Sequence, residues 1–294
     1  MAYSEVYTVE GNDVGQRIDN FLMSKNRAIP KSRYYRAIRS GEVRVNKKRV
    51  TASYRIQAND QVRIPPFVAD SGMKADQPVV LTSQQKEMLE RIILFESNEY
   101  MLVNKPFGIA VHAGSGIRNG LVDQLISLRS MPLYLVHRLD KDVSGCLLLA
   151  KNRQALNDMI DKWSTGAVKK IYHALVFCES RPSQRVISRT LTTSSGRQQT
   201  AMTELSCIEM FDSYACVKLR ITTGRKHQIR RHLADEKIPI IGDIKYGDFA
   251  KNKRFRKQAG EQYLYLIAKE LVLPIAGESR GFKVDYPDWW SCTE

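Results

Sequence analysis

The sequence predicts an α+β protein with two domains of unequal size. Between residues 170 and 221, strand-like segments follow one another without intervening helices, which favours a large mixed, mainly antiparallel β-sheet over a doubly wound parallel one. Residues 1–67 instead combine two short helical patterns with short alternating strands, as in a small α/β domain. We predict that small domain over 1–67, a turn-rich linker over 68–84 and the large domain over 85–294.

Two helices are predicted to open the small domain. Apolar residues recur at helical spacing within Gln16–Met23, and a second helix is expected over Lys31–Arg39, where Gly41 supplies a C-cap. Four short alternating strands are expected to follow, over residues 43–46, 48–50, 54–56 and 61–64.

Positive charge is concentrated in this small domain. The chain carries 46 Lys and Arg against 31 Asp and Glu, a formal net charge of +15 at pH 7. Residues 1–67 hold 13 of those cations but only 6 of the acids. Arg33, Arg36 and Arg39 are spaced to fall near one face of the second predicted helix. A polyanionic partner explains this distribution, with nucleic acid as the leading candidate and a plain solvated helix face as the alternative.

Composition disfavours several other classes of protein. The N-terminus lacks a basic segment followed by an apolar stretch, so we expect no signal peptide, and no apolar run is long enough to span a bilayer. The five cysteines are odd in number, widely spaced and lack any Cys-x-x-Cys, as in reduced cytoplasmic proteins. The five histidines show no ligand spacing. We therefore expect a cytoplasmic protein with no bound metal and no membrane partner.

The most informative stretch is the nonapeptide His-Arg-Leu-Asp-Lys-Asp-Val-Ser-Gly at residues 137–145, which leads directly into the apolar run 146–150. Ionisable side chains next to a buried strand are costly unless they are paired, so this stretch is a candidate site. For Asp140 taken alone, a structural ion pair or a turn-capping role is the commoner explanation.

The small domain resembles the S4 RNA-binding domain. The likeness rests on four stretches in order, at residues 17–22, 32–33, 38–46 and 60–64. The resemblance implies a module of two helices and short strands that presents basic residues to structured RNA. The side chains expected to contact RNA are Lys31, Arg33, Arg36 and Arg39.

Five segments of the large domain, in order, resemble the RluA-type RNA pseudouridine synthases. Besides the nonapeptide, they are Val103–His112, Lys169–Val176, Thr222–Leu233 and Ile241–Gly247. One such segment would be weak evidence, whereas five in order behind an S4-like domain are specific. The similarity is greatest to the group that modifies large-subunit ribosomal RNA.

That resemblance implies the pseudouridine synthase fold and the isomerisation of uridine within RNA. The N1–C1′ bond breaks, uracil rotates, and C5 bonds to C1′. Such an isomerisation needs no group donor and no redox partner, so no cofactor is expected. The expected partner is 23S ribosomal RNA or its assembly precursor, bound by a monomer.

Motif matching assigns roles to individual side chains. Asp140 matches the family's catalytic aspartate, and a carboxylate can act on ribose by attacking C1′ or by removing a neighbouring proton. Arg230 matches the arginine that pairs with that aspartate. Tyr172 matches a tyrosine whose ring can stack on uracil, and Arg138 an arginine that helps to hold the target nucleotide out of the helix. Val143 stands where the family usually has Thr.

Two other functions compete with the isomerase. One is a catalytically silent RNA-binding ribosome assembly factor, and the other is an N-glycosidase that removes a base. The joint presence of Asp140, Tyr172 and Arg230 favours the isomerase. Two further basic stretches, at 185–197 and 251–257, are compatible both with RNA contact and with an ordinary solvated loop.

Overall fold

The small domain combines helices with a three-stranded sheet. The computed structural model describes residues 5–26, 29–69, 79–112, 119–192, 196, 198–260 and 263–290. The elements of the small domain are β1 (Glu5–Thr8), α1 (Ile18–Lys25), α2 (Lys31–Ser40), β2 (Arg44–Val45), β3 (Gln61–Ile64) and α3 (Pro66–Ala69). Its strands are antiparallel in the order β1-β3-β2. Apolar side chains of both longer helices and of β3 form its core, among them Phe21, Leu22, Ile38 and Val62.

The two predicted helices of this domain are present with shifted ends, but two of its predicted strands are wrong. The segments 48–50 and 54–56 take part only in isolated bridges, Val45 with Lys48 and Arg17 with Arg55. Asn46 and Lys47 both adopt a positive φ, 49° and 65°, so the chain turns sharply after β2 and does not continue as an extended hairpin.

The large domain begins with α4 (Ser83–Arg91) and contains a ten-stranded sheet. The other elements as far as α6 are β4 (Ile93–Glu96), β5 (Tyr100–Lys105), α5 (Leu121–Arg129), β6 (Tyr134–Leu135), β7 (Ser144–Ala150) and α6 (Arg153–Ser164). After these come β8 (Lys169–Phe177), β9 (Arg185–Thr192), β10 (Gln198–Met210), β11 (Tyr214–Ile221), α7 (Gln228–Asp235), α8 (Phe249–Ala259), β12 (Leu266–Ile275) and β13 (Glu278–Lys283).

The strand order is β4-β5-β7-β12-β8-β11-β10-β9, with β6 paired to β7 and β13 to β12. The β7–β12 pair is parallel, and the other pairs are antiparallel. The prediction of a mixed, mainly antiparallel sheet is therefore confirmed. Among the described residues, no helix is both long and apolar enough to cross a membrane.

The sheet separates two apolar cores. Along β8, Tyr172, Ala174 and Val176 face one core, whereas Leu175 and Phe177 face the other, as strand alternation requires. Helix α5 contributes to the first core and α6 to the second. Because β7 has a core on each face, all seven of its residues are buried. The nonapeptide leads into this strand, so its charged turn is anchored to the centre of the domain.

The predicted linker is shortened at both ends by helices. Val68 and Ala69 belong to α3, and α4 begins at Ser83 with a capping box in which Thr82 and Gln85 bond each other's backbone N–H groups. Residues 70–78 lie outside the described part of the chain. The domain boundaries at 67 and 84 stay a prediction.

Gly145 allows β7 to run parallel to β12. Its φ is +108°, and a Cβ at this position would lie 2.3 Å from the carbonyl oxygen of Ala268. Gly166 also has a positive φ, +78°, but a Cβ there would meet no heavy atom within 4 Å.

We expect Gly145→Ala to lower the free energy of unfolding by about 3 kcal/mol, because it adds a backbone clash to unfavourable dihedral angles. The matched change Gly166→Ala adds only the dihedral penalty, about 1 kcal/mol. Urea unfolding of the two variants measures the difference. Equal losses of stability would contradict the steric explanation.

Candidate active site

A pocket opens where the turn before β7 meets β8, the end of β11 and the start of α7. Four residues predicted for the active site line it together: Arg138, Asp140, Tyr172 and Arg230. The backbone N–H of Val143 donates to the carbonyl oxygen of Asp140 at 3.1 Å, which closes the turn that presents the aspartate. The fold therefore brings into one cavity side chains that come from three separate segments.

Asp140 is held by a buried arginine. Nη1 of Arg230 donates to Oδ2 of Asp140 at 3.2 Å. The other edge of the guanidinium donates to Asp243, through Nε to Oδ2 at 2.7 Å and through Nη2 to Oδ1 at 2.8 Å. Arg230 thus bridges two carboxylates. The Asp140 side chain is 33% exposed whereas that of Asp243 is 1% exposed, so only Asp140 is available to a substrate.

Asp243 is a functional residue that sequence reasoning missed. It lies in the Ile241–Gly247 segment, where no role was assigned to an individual side chain. Its Oδ1 also accepts the backbone N–H groups of Lys245 and Tyr246, at 2.8 and 2.9 Å. A buried arginine next to a half-exposed aspartate needs a second anion to satisfy its remaining donors. That requirement is the signal by which such a residue could have been expected.

Both members of the buried pair stay charged. Burial by itself lowers the pKa of Arg230, but the hydrogen bonds and charge of Asp243, with the charge of Asp140, raise it above its usual value. Burial likewise raises the pKa of Asp243, yet the Arg230 guanidinium and the backbone N–H groups of Tyr246 and Lys245 bring it below its usual value. The pair is therefore a permanent ion pair at neutral pH.

Tyr172 forms an apolar wall of the pocket. It lies on β8 and is buried, with its ring in the first core. Burial, reinforced by the charge of Asp140, raises the pKa of the Tyr172 phenol above its usual value. The hydroxyl is consequently neutral at physiological pH. A neutral phenol beside a carboxylate suits stacking and hydrogen bonding and does not provide a preformed phenolate base.

His227 forms a second contact to the turn that presents Asp140. It caps α7 in the left-handed conformation, with φ at 54°, and its Nε2 lies 3.6 Å from Oδ2 of Asp140. Its Nδ1 bonds the hydroxyl of Tyr246 at 2.9 Å. Burial lowers the pKa of His227, against the opposing charge of Asp140 and together with that of Arg230. A neutral imidazole here orients the turn.

His137, the first residue of the nonapeptide, is also structural. Its Nε2 accepts the backbone N–H of Leu148 at 3.0 Å, and its ring stacks on Trp163 with centroids 4.6 Å apart. Burial, with the charge of Lys170, lowers the pKa of His137 to about 3. Val143, which replaces the family's usual Thr, is buried in the first core, where its methyl groups have apolar neighbours.

Lys105 supports the turn that presents Asp140, and the sequence alone indicated no role for this lysine. Its side chain is fully buried, and Nζ donates to the carbonyl oxygens of Pro106, Ile109 and Lys141 at 2.8, 2.7 and 2.9 Å. Lys141 follows Asp140 directly, so Lys105 joins the end of β5 to the turn. Burial lowers the pKa of Lys105 to about 7, although nearby Asp142 and Asp140 oppose this. A lysine at the end of a mostly buried strand was the available signal.

The four predicted RNA-contact residues do not line the pocket, because they all lie on α2 of the small domain. Lys31, Arg36 and Arg39 are exposed. Arg33 lies at the edge of that face, where its guanidinium donates twice to Glu42 at 3.0 and 3.2 Å and covers the ring of Phe67. The prediction that Arg33 shares an all-positive face with Arg36 and Arg39 is corrected accordingly. No cluster of three His, Cys, Asp or Glu side chains suited to a metal ion occurs within the described ranges.

Comparison with known proteins identifies the family. A family model described as RNA pseudouridylate synthase matches residues 99–235, and one described as S4 domain matches residues 16–62. The chain is similar to the ribosomal large subunit pseudouridine synthase C of Haemophilus influenzae, with 41% identity over 95% of this chain and 90% of the relative. The protein of the same description from Escherichia coli is 35% identical over 96% and 92%. The chain belongs to the RNA pseudouridine synthase family.

Solved structures agree with this membership. Human RNA pseudouridylate synthase domain containing 4 is 27% identical and covers 70% of this chain and 92% of its own, with a TM-score of 0.59. Human RNA pseudouridylate synthase domain containing 1, at 24% identity and a TM-score of 0.56, shares the fold. The predicted pseudouridine synthase fold, the S4 domain and the classification as an RNA isomerase are confirmed.

The buried Lys105 makes the free energy of unfolding depend on pH above neutrality. Below pH 7 the amine is protonated in both the folded and the unfolded chain. Above pH 7 the folded chain releases the proton, whereas the unfolded chain holds it up to about pH 10.4. This lysine therefore makes the folded state more stable as pH rises through that interval.

We expect the free energy of unfolding of the wild type, minus that of Lys105→Met, to grow by about 1.4 kcal/mol per pH unit between pH 7 and 10. Urea titrations at three pH values measure it. Lys86→Met, at an exposed position on α4, is the control and should give a constant difference. A constant difference for Lys105→Met as well would contradict the lowered pKa.

Proposed function

We propose that this enzyme isomerises specific uridines to pseudouridine in 23S ribosomal RNA, with Asp140 as the catalytic carboxylate. Family membership supports uridine isomerisation. The relatives are named ribosomal large subunit pseudouridine synthase C, which supports the large ribosomal subunit as the source of the RNA. The S4 match and the formal net charge of +15 support an RNA partner.

The observation that carries the proposal is the Asp140–Arg230–Asp243 arrangement. Arg230 is neutralised on one edge by the buried Asp243 and donates from Nη1 to Asp140. Asp140 is thereby fixed in direction, while part of its carboxylate stays open to the pocket. An oriented carboxylate suits either of two acts on the ribose, attack at C1′ or removal of a neighbouring proton.

The remaining pocket residues divide the other tasks. The Tyr172 ring provides an apolar face on which uracil stacks while it is detached and rotates. The proton that leaves C5 is balanced by the one that N1 gains, so the reaction changes neither mass nor charge. Arg138 is exposed at the pocket. From there it holds the phosphate or sugar of a nucleotide turned out of its helix.

The small domain supplies affinity separately from the chemistry. Arg36 and Arg39 are exposed on α2, and Lys31 begins the same helix. In this proposal these three side chains contact phosphates. Arg33 contributes less, because Glu42 already neutralises it. Arg55 donates to the side chain of Asn157 on α6 at 3.1 Å, which places the small domain against the large one.

We expect Asp140→Asn to lower the rate of isomerisation by about three orders of magnitude or more. The change keeps the size of the side chain but replaces the carboxylate proposed to act on the ribose. Tritium release from C5-labelled uridine in 23S ribosomal RNA measures it. Asp142→Asn removes a carboxylate two positions along the same turn and should retain most activity.

Three results would overturn this proposal. Near-normal tritium release from Asp140→Asn would exclude that residue as the catalytic carboxylate. Tight RNA binding without tritium release by the wild type would favour the silent assembly factor. Release of free uracil would favour the N-glycosidase, because isomerisation leaves the base attached to the RNA.

The contribution of α2 is tested by the double change Arg36→Gln/Arg39→Gln. We expect the slope of log affinity for 23S ribosomal RNA against log salt to become shallower by roughly 1.4–1.8, at about 0.7–0.9 for each phosphate contact. Lys86→Gln/Lys218→Gln removes two exposed charges from α4 and from the face of β11 turned away from the pocket, and serves as the control. If both variants shift the slope equally, α2 is only a solvated helix.

A further inference from the structure

Helix α8 presents a cationic outer face for which the chemistry of the pocket has no use. It contains five cations in seven residues: Lys251, Lys253, Arg254, Arg256 and Lys257. The nearest preceding acid, Asp248, is engaged as the helix N-cap and accepts the backbone N–H of Lys251 at 3.0 Å. Within the described part of the chain, no carboxylate pairs with Lys253, Arg254 or Lys257. A surface helix normally mixes charges of both signs, so this face is unusual.

The helix has a defined inner side, which fixes the direction of that outer face. Asn252 is buried, and Phe255 packs its ring against the aromatic cluster of the second core, including Phe177 and Tyr265. Positions 252 and 255 are one turn apart, and their side chains form the side of α8 that packs on the second core. Lys253 and Lys257, four residues apart, lie together on the opposite side.

An exposed aromatic ring shares this face. Phe249 is 69% exposed, and it precedes Lys253 by four residues, so the ring and the two lysines form one row along about 12 Å of helix. Ile244, 61% exposed, lies on the adjoining loop. Exposed apolar side chains next to unpaired cations indicate a binding surface, because single-stranded RNA offers stacking bases and phosphates together.

The face is joined rigidly to the active site. Oδ1 of Asn252 accepts the backbone N–H of Gly242 at 2.7 Å, and its Nδ2 donates to the carbonyl oxygen of Asp243 at 3.1 Å. Asp243 in turn holds Arg230. Phe249 follows Asp243 by six positions, so their Cα atoms lie within about 20 Å of each other. A strand that enters the pocket therefore reaches α8 within a few nucleotides.

We propose that the outer face of α8 binds the single-stranded RNA that flanks the target uridine, with Lys253, Arg254 and Lys257 on phosphates and Phe249 stacked on an unpaired base. This inference rests on the proposed function, since it requires RNA as the substrate. It assigns to the basic stretch 251–257 a role in substrate recognition, and it places a stacking site outside the catalytic pocket.

The first test is Lys253→Gln/Lys257→Gln in the full chain, with unmodified 23S ribosomal RNA transcribed in vitro as the probe. We expect the Kd near physiological salt to rise about fivefold or more and the salt slope to become shallower by roughly 1.4–1.8. The control Lys86→Gln/Lys218→Gln has the same net charge. Equal shifts in the two variants overturn the proposal.

The second test separates stacking from simple apolar contact at Phe249. Phe249→Leu keeps an apolar side chain without a ring, and we expect it to weaken binding about tenfold. Phe249→Trp keeps a ring and should bind at least as tightly as the wild type. If Phe249→Leu binds like the wild type, the stacking site does not exist.

Two further measurements assign any failure. Tritium release by the wild type from the same transcript tests the proposed function independently. Its absence would refute the proposed reaction, whereas the Kd values would still test whether α8 binds RNA. Vesicles of phosphatidylglycerol and phosphatidylcholine test a lipid surface. Vesicle binding that Lys253→Gln/Lys257→Gln abolishes, with RNA affinity unchanged, would assign the face to lipid and overturn the proposal.

Discussion

The ion pair between Arg230 and Asp243 is the interaction on which the candidate site depends. A buried guanidinium next to a single half-exposed aspartate would carry an unneutralised charge, which is costly inside a protein. Asp243 removes that cost with two hydrogen bonds and is itself satisfied by two backbone N–H groups. Arg230 also donates from Nη1 to Asp140. The carboxylate that lines the pocket is thereby oriented and still open.

The fold provides this arrangement by packing three segments around one end of the sheet. The central strand β7 has a core on each face, and the turn that precedes it is fastened by Lys105 from β5 and by His227 from α7. Each of these contacts is short-ranged, and each comes from a different element. The position of Asp140 therefore follows from the packing of the whole domain, in agreement with the general requirement that catalytic groups be held within fractions of an ångström.

Charges at the pocket and charges on the exposed helices are arranged differently. At the pocket, the buried Arg230 is paired with Asp140 and Asp243, because a buried charge needs a partner of opposite sign. Lys31, Arg36 and Arg39 on α2 and Lys253, Arg254 and Lys257 on α8 are exposed, as expected for surfaces that exchange counterions for RNA phosphates. The two helices belong to different domains. A long RNA contacting both would extend well beyond the target nucleotide, which is consistent with selecting particular uridines in a large molecule.

The sequence by itself determined the mixed, mainly antiparallel sheet, the S4-like domain and the candidates Asp140, Tyr172 and Arg230, because strand runs, charge clusters and ordered motifs are local properties of the chain. Only the tertiary structure showed that Arg33 is paired with Glu42, that the chain turns at the positive-φ residues after β2 and does not form two of the expected strands, and that Asp243 and Lys105 support the site. Those features depend on contacts between residues far apart or on single backbone angles. The periodicity of the sequence shows neither distant contacts nor single backbone angles, so only packing in the folded chain determines which charges pair and which side chains are buried.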